Sequence, residues 1–331
     1  MDKIVNWGIL GTGRIATKFV KGLGDAKGAH VPAVGSRAKD TAQDFGERFN
    51  IPHRYAGYED LVNDPEIDIV YISSPHTLHY EHALLALKAG KAVLCEKPFT
   101  LNAPQALELV QESRQCNQFL MEGMWTRFFP IMDTLRELLA DQVIGDVHSL
   151  IADSGIRRSI DSKERLFRLD LGGGALLDLG VYPIALASMI FGSHDRMTAM
   201  AHFGDYGVDE RLGIVLGYPS GAIASLYTAI KTESPKEAVI MGAKGMIRIH
   251  SNFITPTRLT VTIYGESERR MEEEVVGNGM HHEADEVMRC LRAGKIESPL
   301  MPLDESVRIM ETLDAIRAHL DFTYPTEIIN E

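Results

Sequence analysis

Cysteine is scarce in this sequence, and long runs of positive charge are absent. Its 331 residues include three widely spaced cysteines, Cys95, Cys116 and Cys290, with no C-x-x-C pair. This odd, scattered set argues against a disulfide framework or a zinc ribbon and favours a reducing compartment, so we expect a cytoplasmic protein. The formal net charge is −12, and no Lys/Arg run exceeds two residues. We therefore expect neither nucleic acid nor a membrane as a partner.

The sequence also lacks a long uninterrupted apolar run. Its most apolar stretch, residues 174–191, contains Asp178 and Pro183. A membrane-spanning helix needs about 20 apolar residues, so we interpret this stretch as a buried helix. Asp2 and Lys3 lead directly into an apolar strand, which is unlike a signal peptide. With 45% hydrophobic and 24% charged residues, the chain has the composition of a globular protein long enough for two domains.

Strand and helix patterns alternate over the first 120 residues and predict a doubly wound parallel sheet, the Rossmann fold, in a domain spanning 1–122. Strands are expected at Val5–Leu10, His30–Val34, Ile69–Ile72, Ala92–Cys95 and Phe119–Met121. Helices are expected at Ile15–Leu23, Lys39–Phe49, Glu59–Asn63, Leu78–Ala89 and Ala103–Cys116.

A different pattern follows and predicts a second domain, 123–331. Its strand-like segments lie close together, and "YPSG" at 218–221 is typical of a hairpin turn. Helices are expected at 126–140, 174–191, 280–293 and 304–320. The prediction is an α+β domain with a large, mainly antiparallel open sheet.

The strands of this second sheet are apolar on both faces. Leu212, Ile214 and Leu216 alternate with Gly213, Val215 and Gly217. One face can pack on the helices, and the other needs a second cover. We therefore expect a homodimer or a higher homo-oligomer formed through this sheet.

A glycine motif follows the first predicted strand. In "GILGTGRIA", Gly11-x-Gly13-x-x-Ala16 opens the first helix. Gly11 allows a tight turn, Gly13 lets the backbone approach a pyrophosphate, and Ala16 permits close packing of the helix on the strand. The motif in this context predicts dinucleotide binding.

The end of the second predicted strand indicates which dinucleotide is bound. NAD sites usually carry an acid there for the ribose hydroxyls. This strand ends in Gly35-Ser36-Arg37, and Asp40 comes only inside the following helix. A hydroxyl followed by a guanidinium suits a 2′-phosphate, so NADP is favoured, with NAD possible.

Three histidines at 76, 79 and 82 form H-x-x-H-x-x-H, a spacing that suggests a metal site. Residues three apart on a helix are offset by about 60°, so the three rings would converge poorly. No cysteine completes a tetrahedral set. We expect no metal, and "HHE" at 281–283 is interpreted as lining a pocket or capping a helix.

Three motifs together resemble one family. "GILGTGRIA", "YISSPHTLHYEHALLALKAGKAVLCEKP" and "GGGALLDLGVYP" are similar to the glucose–fructose oxidoreductase/inositol dehydrogenase (Gfo/Idh/MocA) family. Within it, "FLMEGMWTRFFP" and "ESPLMPLDES" look most like the branch of dimeric dihydrodiol dehydrogenases and NADP-dependent D-xylose dehydrogenases. The resemblance covers nearly the whole chain. It implies hydride transfer between a nicotinamide cofactor and the CH–OH group of an aldose or a trans-dihydrodiol.

The resemblance also implies roles for individual residues. Lys97 of "CEKP" matches the catalytic lysine, Tyr182 of "DLGVY" the proposed acid/base tyrosine, and Asp178 an aspartate near the substrate. Arg165 joins these three as a substrate residue, in "RLFRLDLGGG", a segment that departs from the usual family pattern. The implied cofactor residues are Gly11, Thr12, Gly13, Arg14, Ile15, Ser36, Arg37, Ser73, Ser74, Pro75, His76, His79, Glu96, Lys97, Trp125 and Arg127.

The residues leave the proton-transfer group open. Oxidation of an alcohol needs a group that takes the hydroxyl proton, and both an amine and a phenol can do so when their pKa is lowered. Lys97 and Tyr182 therefore stay alternatives. The resemblance also leaves two other functions open, because some relatives cleave glycosides through transient oxidation by bound NAD and others are non-catalytic, cofactor-sensing regulators. Arg37 and the branch motifs disfavour the first, and the presence of Lys97, Asp178 and Tyr182 together disfavours the second.

Overall fold

Six parallel strands form the sheet of the N-terminal half in the structure, a computed structural model that describes residues 3–159 and 164–330. They are β1 Val5–Leu10, β2 Ala29–Ser36, β3 His53–Ala56, β4 Ile69–Ile72, β5 Ala92–Glu96 and β6 Leu120–Gly123. Their order is β3-β2-β1-β4-β5-β6. The chain direction across the sheet reverses between β1 and β4, where parallel sheets place ligands beyond the carboxyl ends of their strands. The predicted Rossmann sheet is confirmed.

Five helices connect these strands: α1 Arg14–Leu23, α2 Lys39–Phe49, α3 Glu59–Val62, α4 His79–Lys88 and α5 Ala103–Cys116. Their apolar faces bury the sheet. The Phe19 ring of α1, for example, stacks on Tyr71 of β4 with centroids 3.7 Å apart, and Trp7 meets Phe19 edge-on at 5.3 Å. All three side chains are fully buried, so this aromatic cluster joins α1 to the centre of the sheet.

A segment from the C-terminal half returns to this unit. The chain divides into one unit of Met1–Phe128 with Val276–Val307, and another of Phe129–Val275 with Arg308–Glu331. This differs from the expected division at residue 122, because two features tie the returning segment to the first unit. Leu120 N of the edge strand β6 donates to Ile296 O at 3.0 Å. A Cβ at Gly22 would lie 2.9 Å from Met280 Cβ, so α8 (His281–Arg292) approaches α1 closely.

An eight-stranded sheet forms the second unit, in the order β14-β13-β12-β11-β7-β10-β9-β8. Its strands are β7 Val147–Gly155, β8 Arg196–Phe203, β9 Asp209–Gly217, β10 Ile223–Ala229, β11 Ala238–Gly242, β12 Gly245–Ile249, β13 Arg258–Ile263 and β14 Arg269–Glu272. Among the described strands of this sheet, only β7 and β10 pair in parallel. The predicted hairpin is present, with Gly221 N donating to Tyr218 O at 2.9 Å. The mainly antiparallel sheet is confirmed.

The remaining helices are α6 Pro130–Ala140, α7 Val181–Phe191 and α9 Leu303–His319. The stretch Leu169–Phe191, which includes α7, is long and apolar enough to cross a membrane, with a mean hydropathy of 1.7. However, 78% of its most apolar window is buried inside the protein. Core helices of globular domains have this combination, and it supports the buried-helix interpretation.

One face of the eight-stranded sheet exposes apolar side chains on four adjacent strands, from β7 to the edge strand β8. Ile151 on β7 is 53% exposed, Val215 on β9 41%, Ile223 on β10 48% and Met200 on β8 80%. Ile151 and Val215 both pair with Ser225 of β10 in register, so the row is continuous across the sheet. Leu212, Ile214 and Leu216 on the opposite face are buried.

Candidate active site

The glycine turn between β1 and α1 has the geometry of a phosphate cradle. Gly11 has φ +102°, a conformation that L side chains rarely adopt, and its Cβ would lie 2.8 Å from Ser73 Oγ. A Cβ at Gly13 would meet no atom within 4 Å, so that side of the turn is open. Helix α1 begins there with no side-chain cap and no acid in its first turn. Its first N–H groups are therefore available to an anion.

A hydroxyl cluster marks the carboxyl end of β2. Ser36 Oγ lies 2.6 Å from Thr41 Oγ1 and 3.3 Å from Thr12 Oγ1, while the next residue, Arg37, is exposed. Hydroxyls and a guanidinium are donors that suit a phosphate, and no acid stands at this strand end. The glycine turn and this cluster together fit an NAD(P)-type dinucleotide. Gly11, Thr12, Gly13, Arg14 and Ile15 would hold its pyrophosphate, and Ser36 and Arg37 its adenosine ribose.

The Lys97 segment follows β5 directly, at the same edge of the sheet. The Lys97–Pro98 peptide bond is cis, and Lys97 is half-buried. His79, 1% exposed, holds the segment from α4. Its Nδ1 lies 2.8 Å from Pro98 O and its Nε2 2.9 Å from Ser74 O. A neutral imidazole has one N–H, so donation to both carbonyls requires the doubly protonated ring.

His79 therefore joins the loops after β4 and β5. The β4 loop contains four of the predicted cofactor residues, Ser73, Ser74, Pro75 and His76. Within it, Ser73 Oγ donates to Leu10 O at 2.8 Å, which connects it back to β1. Both ring nitrogens of His79 face backbone carbonyl oxygens. Contact between His79 and a cofactor stays a prediction.

Glu96 lies immediately before Lys97 and is almost completely buried. The Tyr71 hydroxyl donates to its Oε1 at 2.5 Å, and the Lys97 backbone N–H donates to its Oε2 at 3.3 Å. Burial, and after it the charge of Glu96, raises the pKa of the Tyr71 phenol well above its usual range. The Tyr71 hydroxyl therefore keeps its proton and donates a hydrogen bond to Glu96. This buried hydrogen bond orients the Glu96 carboxylate.

Arg127, a predicted cofactor residue, makes a buried ion pair within its own unit. Its guanidinium donates to both carboxylate oxygens of Glu305 at 2.8 Å each, and to Leu300 O at 3.3 Å. Burial raises the pKa of the neighbouring Glu122 to about 7, and Arg127 opposes that rise. Arg127 thus fixes the turn that contains Trp125, and its contact with a cofactor stays a prediction.

Close packing requires two of the three glycines of the triplet 172–174 in the second unit, Gly173 and Gly174. A Cβ at Gly173 would collide with the carbonyl oxygens of residues 165, 166 and 168, and one at Gly174, where φ is +122°, with the Asp209 carboxylate. Asp209 Oδ2 in turn accepts the Leu176 N–H at 2.6 Å. Burial raises the pKa of Asp209 to about 7. Asp209 thus anchors the start of the helix that contains Asp178 and Tyr182.

That helix begins as a π-helical turn, Leu176–Gly180, before α7. Turns of this kind are rare and occur often at functional sites. Asp178 is half-buried, and Arg165 donates to its Oδ1 at 2.5 Å. Tyr182 follows one turn later and is 7% exposed. The structure therefore joins Arg165 to Asp178 and places Tyr182 one helical turn further along the same unit. Lys97, the fourth predicted substrate residue, belongs to the first unit.

One group of described side chains has metal-ligand spacing: His281, His282 and Asp285, with ligand atoms within 4.8 Å of one another. The two imidazole rings pack against each other with centroids 3.9 Å apart. In the H-x-x-H-x-x-H run, both ring nitrogens of His79 face carbonyl oxygens, so this residue does not serve as a metal ligand. The expectation that the protein needs no metal stays a prediction.

Sequence reasoning missed Asp209, Glu305 and the structural use of His79. Asp209 and Glu305 make contacts with partners 33 and 178 residues away along the chain. No local pattern marks such partners. A sequence signal existed only for His79, because its position four residues beyond "SSP" places it in the first turn of α4.

Comparison with known proteins agrees with this geometry. Residues 5–124 match the model described as "Oxidoreductase family, NAD-binding Rossmann fold". Residues 132–248 match that of the GFO/IDH/MocA C-terminal domain. The chain belongs to this family of oxidoreductases, and the expected family is confirmed.

Curated relatives match over nearly their full length. Trans-1,2-dihydrobenzene-1,2-diol dehydrogenase of Xenopus tropicalis is 37% identical, covering 96% of this chain and 99% of the relative. The Mus musculus enzyme of that name is also 37% identical, over 98% and 99%. A 3-ketoreductase from Actinomadura kijaniata, solved with NADP and TDP-benzene, superposes with a TM-score of 0.85 at 26% identity, over 96% and 98%.

A similar fold occurs in an aldose–aldose oxidoreductase from Caulobacter crescentus, solved with glycerol. It has a TM-score of 0.87 at 24% identity, covering 96% of this chain and 98% of that one. At this identity the likeness shows the fold alone.

The His79 bridge predicts a large stability difference between two substitutions on α4. In His79→Phe, the carbonyl oxygens of Ser74 and Pro98 lose the ring nitrogens that face them. Each carbonyl left without a donor costs about 1–3 kcal/mol, so we expect the free energy of unfolding to fall by about 1–6 kcal/mol in urea denaturation. His82→Phe is the matched control, because His82 is also buried and its Nδ1 has no hydrogen-bond partner. Equal losses of unfolding free energy in the two variants would contradict the role of His79 in joining the loops after β4 and β5.

Proposed function

We propose that this protein is an NADP-dependent dehydrogenase that transfers a hydride between the nicotinamide and the CH–OH group of an aldose or a trans-dihydrodiol. The observation that carries the proposal is the placement of Lys97. Lys97 directly follows the parallel strand β5, at the carboxyl ends of the strands, where Rossmann sheets bind their ligands. His79 holds the Lys97 segment beside the loop after β4. The named activities of the curated relatives and the NADP-bound 3-ketoreductase support the choice of substrate class and cofactor.

The proposed chemistry divides the work between groups of this chain. The nicotinamide, when bound, accepts or donates the hydride. The substrate hydroxyl proton has two candidate acceptors, Lys97 Nζ and the Tyr182 phenolate oxygen. In the reverse direction the protonated forms donate to the carbonyl oxygen and stabilise its developing negative charge. Asp178, held by Arg165, places a carboxylate one helical turn from Tyr182, where it can orient a substrate hydroxyl by accepting its hydrogen bond.

The two units have different proposed tasks. The first unit, with the glycine turn and the Lys97 segment, binds the dinucleotide, and the second, with Arg165, Asp178 and Tyr182, binds the substrate. Three free cysteines and the need for a cellular nicotinamide pool favour the cytoplasm as its location.

A substrate panel tests the function. Aldoses and trans-dihydrodiols are incubated with NADP or NAD, and the absorbance of the reduced nicotinamide is followed. We expect turnover with at least one compound, and a fall in kcat of at least about 100-fold in Lys97→Met, since general acid–base groups contribute about 10²–10⁴-fold. NADP affinity should stay nearly intact. Lys88→Met, at the exposed end of α4, is the control.

Two outcomes would contradict the proposal. Wild-type turnover in Lys97→Met would remove the catalytic assignment. Absence of turnover with every compound, with NADP still bound, would favour a cofactor sensor.

The choice of NADP rests on the donors at the end of β2. A charge-assisted contact of a guanidinium with phosphate is worth about 1.5–3 kcal/mol, so Arg37→Ala should weaken NADP binding by about 10–100-fold and NAD binding much less. Fluorescence titration with both cofactors measures this. Lys27→Ala is the control. It also removes one positive charge, but Lys27 precedes the amino end of β2, whereas Arg37 follows its carboxyl end. Equal losses of affinity for NADP and NAD in Arg37→Ala would contradict the assignment of Arg37 to the 2′-phosphate.

The exposed sheet face supports a homodimer or higher homo-oligomer. Ile151, Val215, Ile223 and Met200 form an apolar surface on the side of the sheet away from its buried core. In Val215→Glu, a charge in the centre of that surface should dissociate the oligomer in analytical ultracentrifugation. Leu107→Glu on α5 is the control, because Leu107 is 48% exposed but lies elsewhere. An unchanged sedimentation coefficient in Val215→Glu would show that the sheet face is not the interface.

A further inference from the structure

The exposed face of the eight-stranded sheet changes from apolar to basic beyond β11. One row of residues paired in register crosses five strands: Ile151, Val239, Arg248, Thr260 and Arg270. Residues paired across neighbouring strands point to the same side of a sheet. The apolar surface around Ile151 is therefore followed, on the same face, by a polar region on β12, β13 and β14, at the opposite end of the sheet from β8.

A cleft with a volume of about 390 Å³ lies in this polar region. Sites for small molecules typically have volumes of about 300–1,000 Å³. The cleft contains three arginines, two threonines and one histidine: Arg248, Arg258, Arg270, Thr260, Thr262 and His250. None of the described residues predicted to bind cofactor or substrate lines it, so the proposed chemistry does not explain its charge.

The three guanidinium groups surround one threonine. Thr260 on β13 is 8% exposed, with Arg248 opposite it on β12 and Arg270 opposite it on β14. Arg258 stands two residues earlier on β13, on the same face. Neighbouring strands lie about 4.8 Å apart and alternate residues of one strand about 7 Å apart, so the three long side chains can meet over Thr260. The Thr260 hydroxyl oxygen also lies 2.7 Å from His250 Nε2.

Acidic side chains neutralise this arginine cluster only in part. Arg258 forms no ion pair with any residue in the described ranges 3–159 and 164–330. Arg248 and Arg270 have carboxylate neighbours, Glu237 and Glu268, but at 3.8 and 3.7 Å. Both distances are longer than a hydrogen bond. The N–H donors of all three guanidinium groups are therefore available to a ligand.

The histidine of the cleft responds to this positive field. Burial, and after it the charge of Arg258, lowers the pKa of His250. Arg248 and Arg270 act in the same direction. The positive charge of the cleft thus comes from its guanidinium groups, in a chain whose formal net charge is −12.

We propose that this cleft is a binding site for a phosphate-bearing small molecule. A phosphate group carries up to two negative charges and three strong acceptor oxygens, and planar guanidinium groups bind it through paired N–H donors. Three arginines around a hydroxyl match those three oxygens better than the two oxygens of a carboxylate. Inorganic phosphate and a phosphate ester share this chemistry. The inference goes beyond the proposed dehydrogenase activity and does not depend on it.

Isothermal titration calorimetry tests the site on the NADP-saturated protein, in which the dinucleotide site is filled. Inorganic phosphate and methyl phosphate, an ester without a CH–OH group, are titrated at low ionic strength, where exposed charges are least screened. We expect binding to the wild type, and Arg258→Ala should weaken it by at least about 10-fold, since it removes one charge-assisted contact. Tighter binding of methyl phosphate would assign the site to phosphate esters, and equal binding to either source of phosphate.

Arg269→Ala is the matched control for Arg258→Ala. Arg269 precedes Arg270 on β14 and pairs with Val261, whose side chain is buried on the other face of the sheet. Its substitution removes the same charge and should leave binding unchanged. Equal weakening in the two variants, or absence of binding to the wild type, would overturn the inference. It would also be overturned if Arg258→Ala lowered the sedimentation coefficient while the wild type bound no phosphate, because the cleft would then be a contact between copies of this chain.

Discussion

A single buried imidazole holds the edge of the sheet where the chemistry is proposed. His79 faces the carbonyl oxygens of Ser74 and Pro98 with its two ring nitrogens, so the loops after β4 and β5 cannot move independently. Glu96, one residue before Lys97, is held from the opposite side by Tyr71. The residues directly before and after Lys97 along the chain, Glu96 and Pro98, are thus both held by buried contacts. Functional groups held this way by rigid neighbours lose little entropy when they engage a substrate.

In the second unit, glycines allow the close packing that fixes the candidate substrate residues. Gly173 lets the chain pass close to the carbonyls of residues 165, 166 and 168, and Gly174 lets it pass close to Asp209. The Tyr324 hydroxyl donates to Gly173 O at 2.8 Å. The result is a short π-helical turn whose start is anchored by Asp209. Arg165 and Asp178, which flank the triplet in sequence, can then form their ion pair. Larger side chains in the triplet would displace the groups proposed to bind substrate.

Local sequence patterns predict most of the first unit. The limits of β1, β4, α2 and α5 agree with expectation because an apolar run or a helical pattern ends at a clear glycine, proline or asparagine signal. The strand β3 was not predicted, since "HRYA" is only four residues of a partly exposed edge strand, with little alternation. The strand β14 is similarly short and mostly exposed.

Long-range contacts set the limit of such prediction. Residues 276–307 pack on α1 and β6, from which they are separated by more than 150 residues, and no periodicity indicates this. The same holds for the Arg127–Glu305 pair, whose members lie 178 residues apart along the chain. The roles of Lys97 and Tyr182 came from family motifs, and both stay predictions. In the structure Lys97 directly follows β5, and Tyr182 lies in the first turn of α7.

Isotope transfer tests the central claim most directly. A turned-over aldose or dihydrodiol, deuterated at the carbon that bears the reacting hydroxyl, is incubated with the protein and oxidised cofactor. The account predicts that the deuterium appears at C4 of the reduced nicotinamide, as direct hydride transfer requires. Reduced cofactor without label, with deuterium released to water, would contradict hydride transfer between the CH–OH carbon and the nicotinamide.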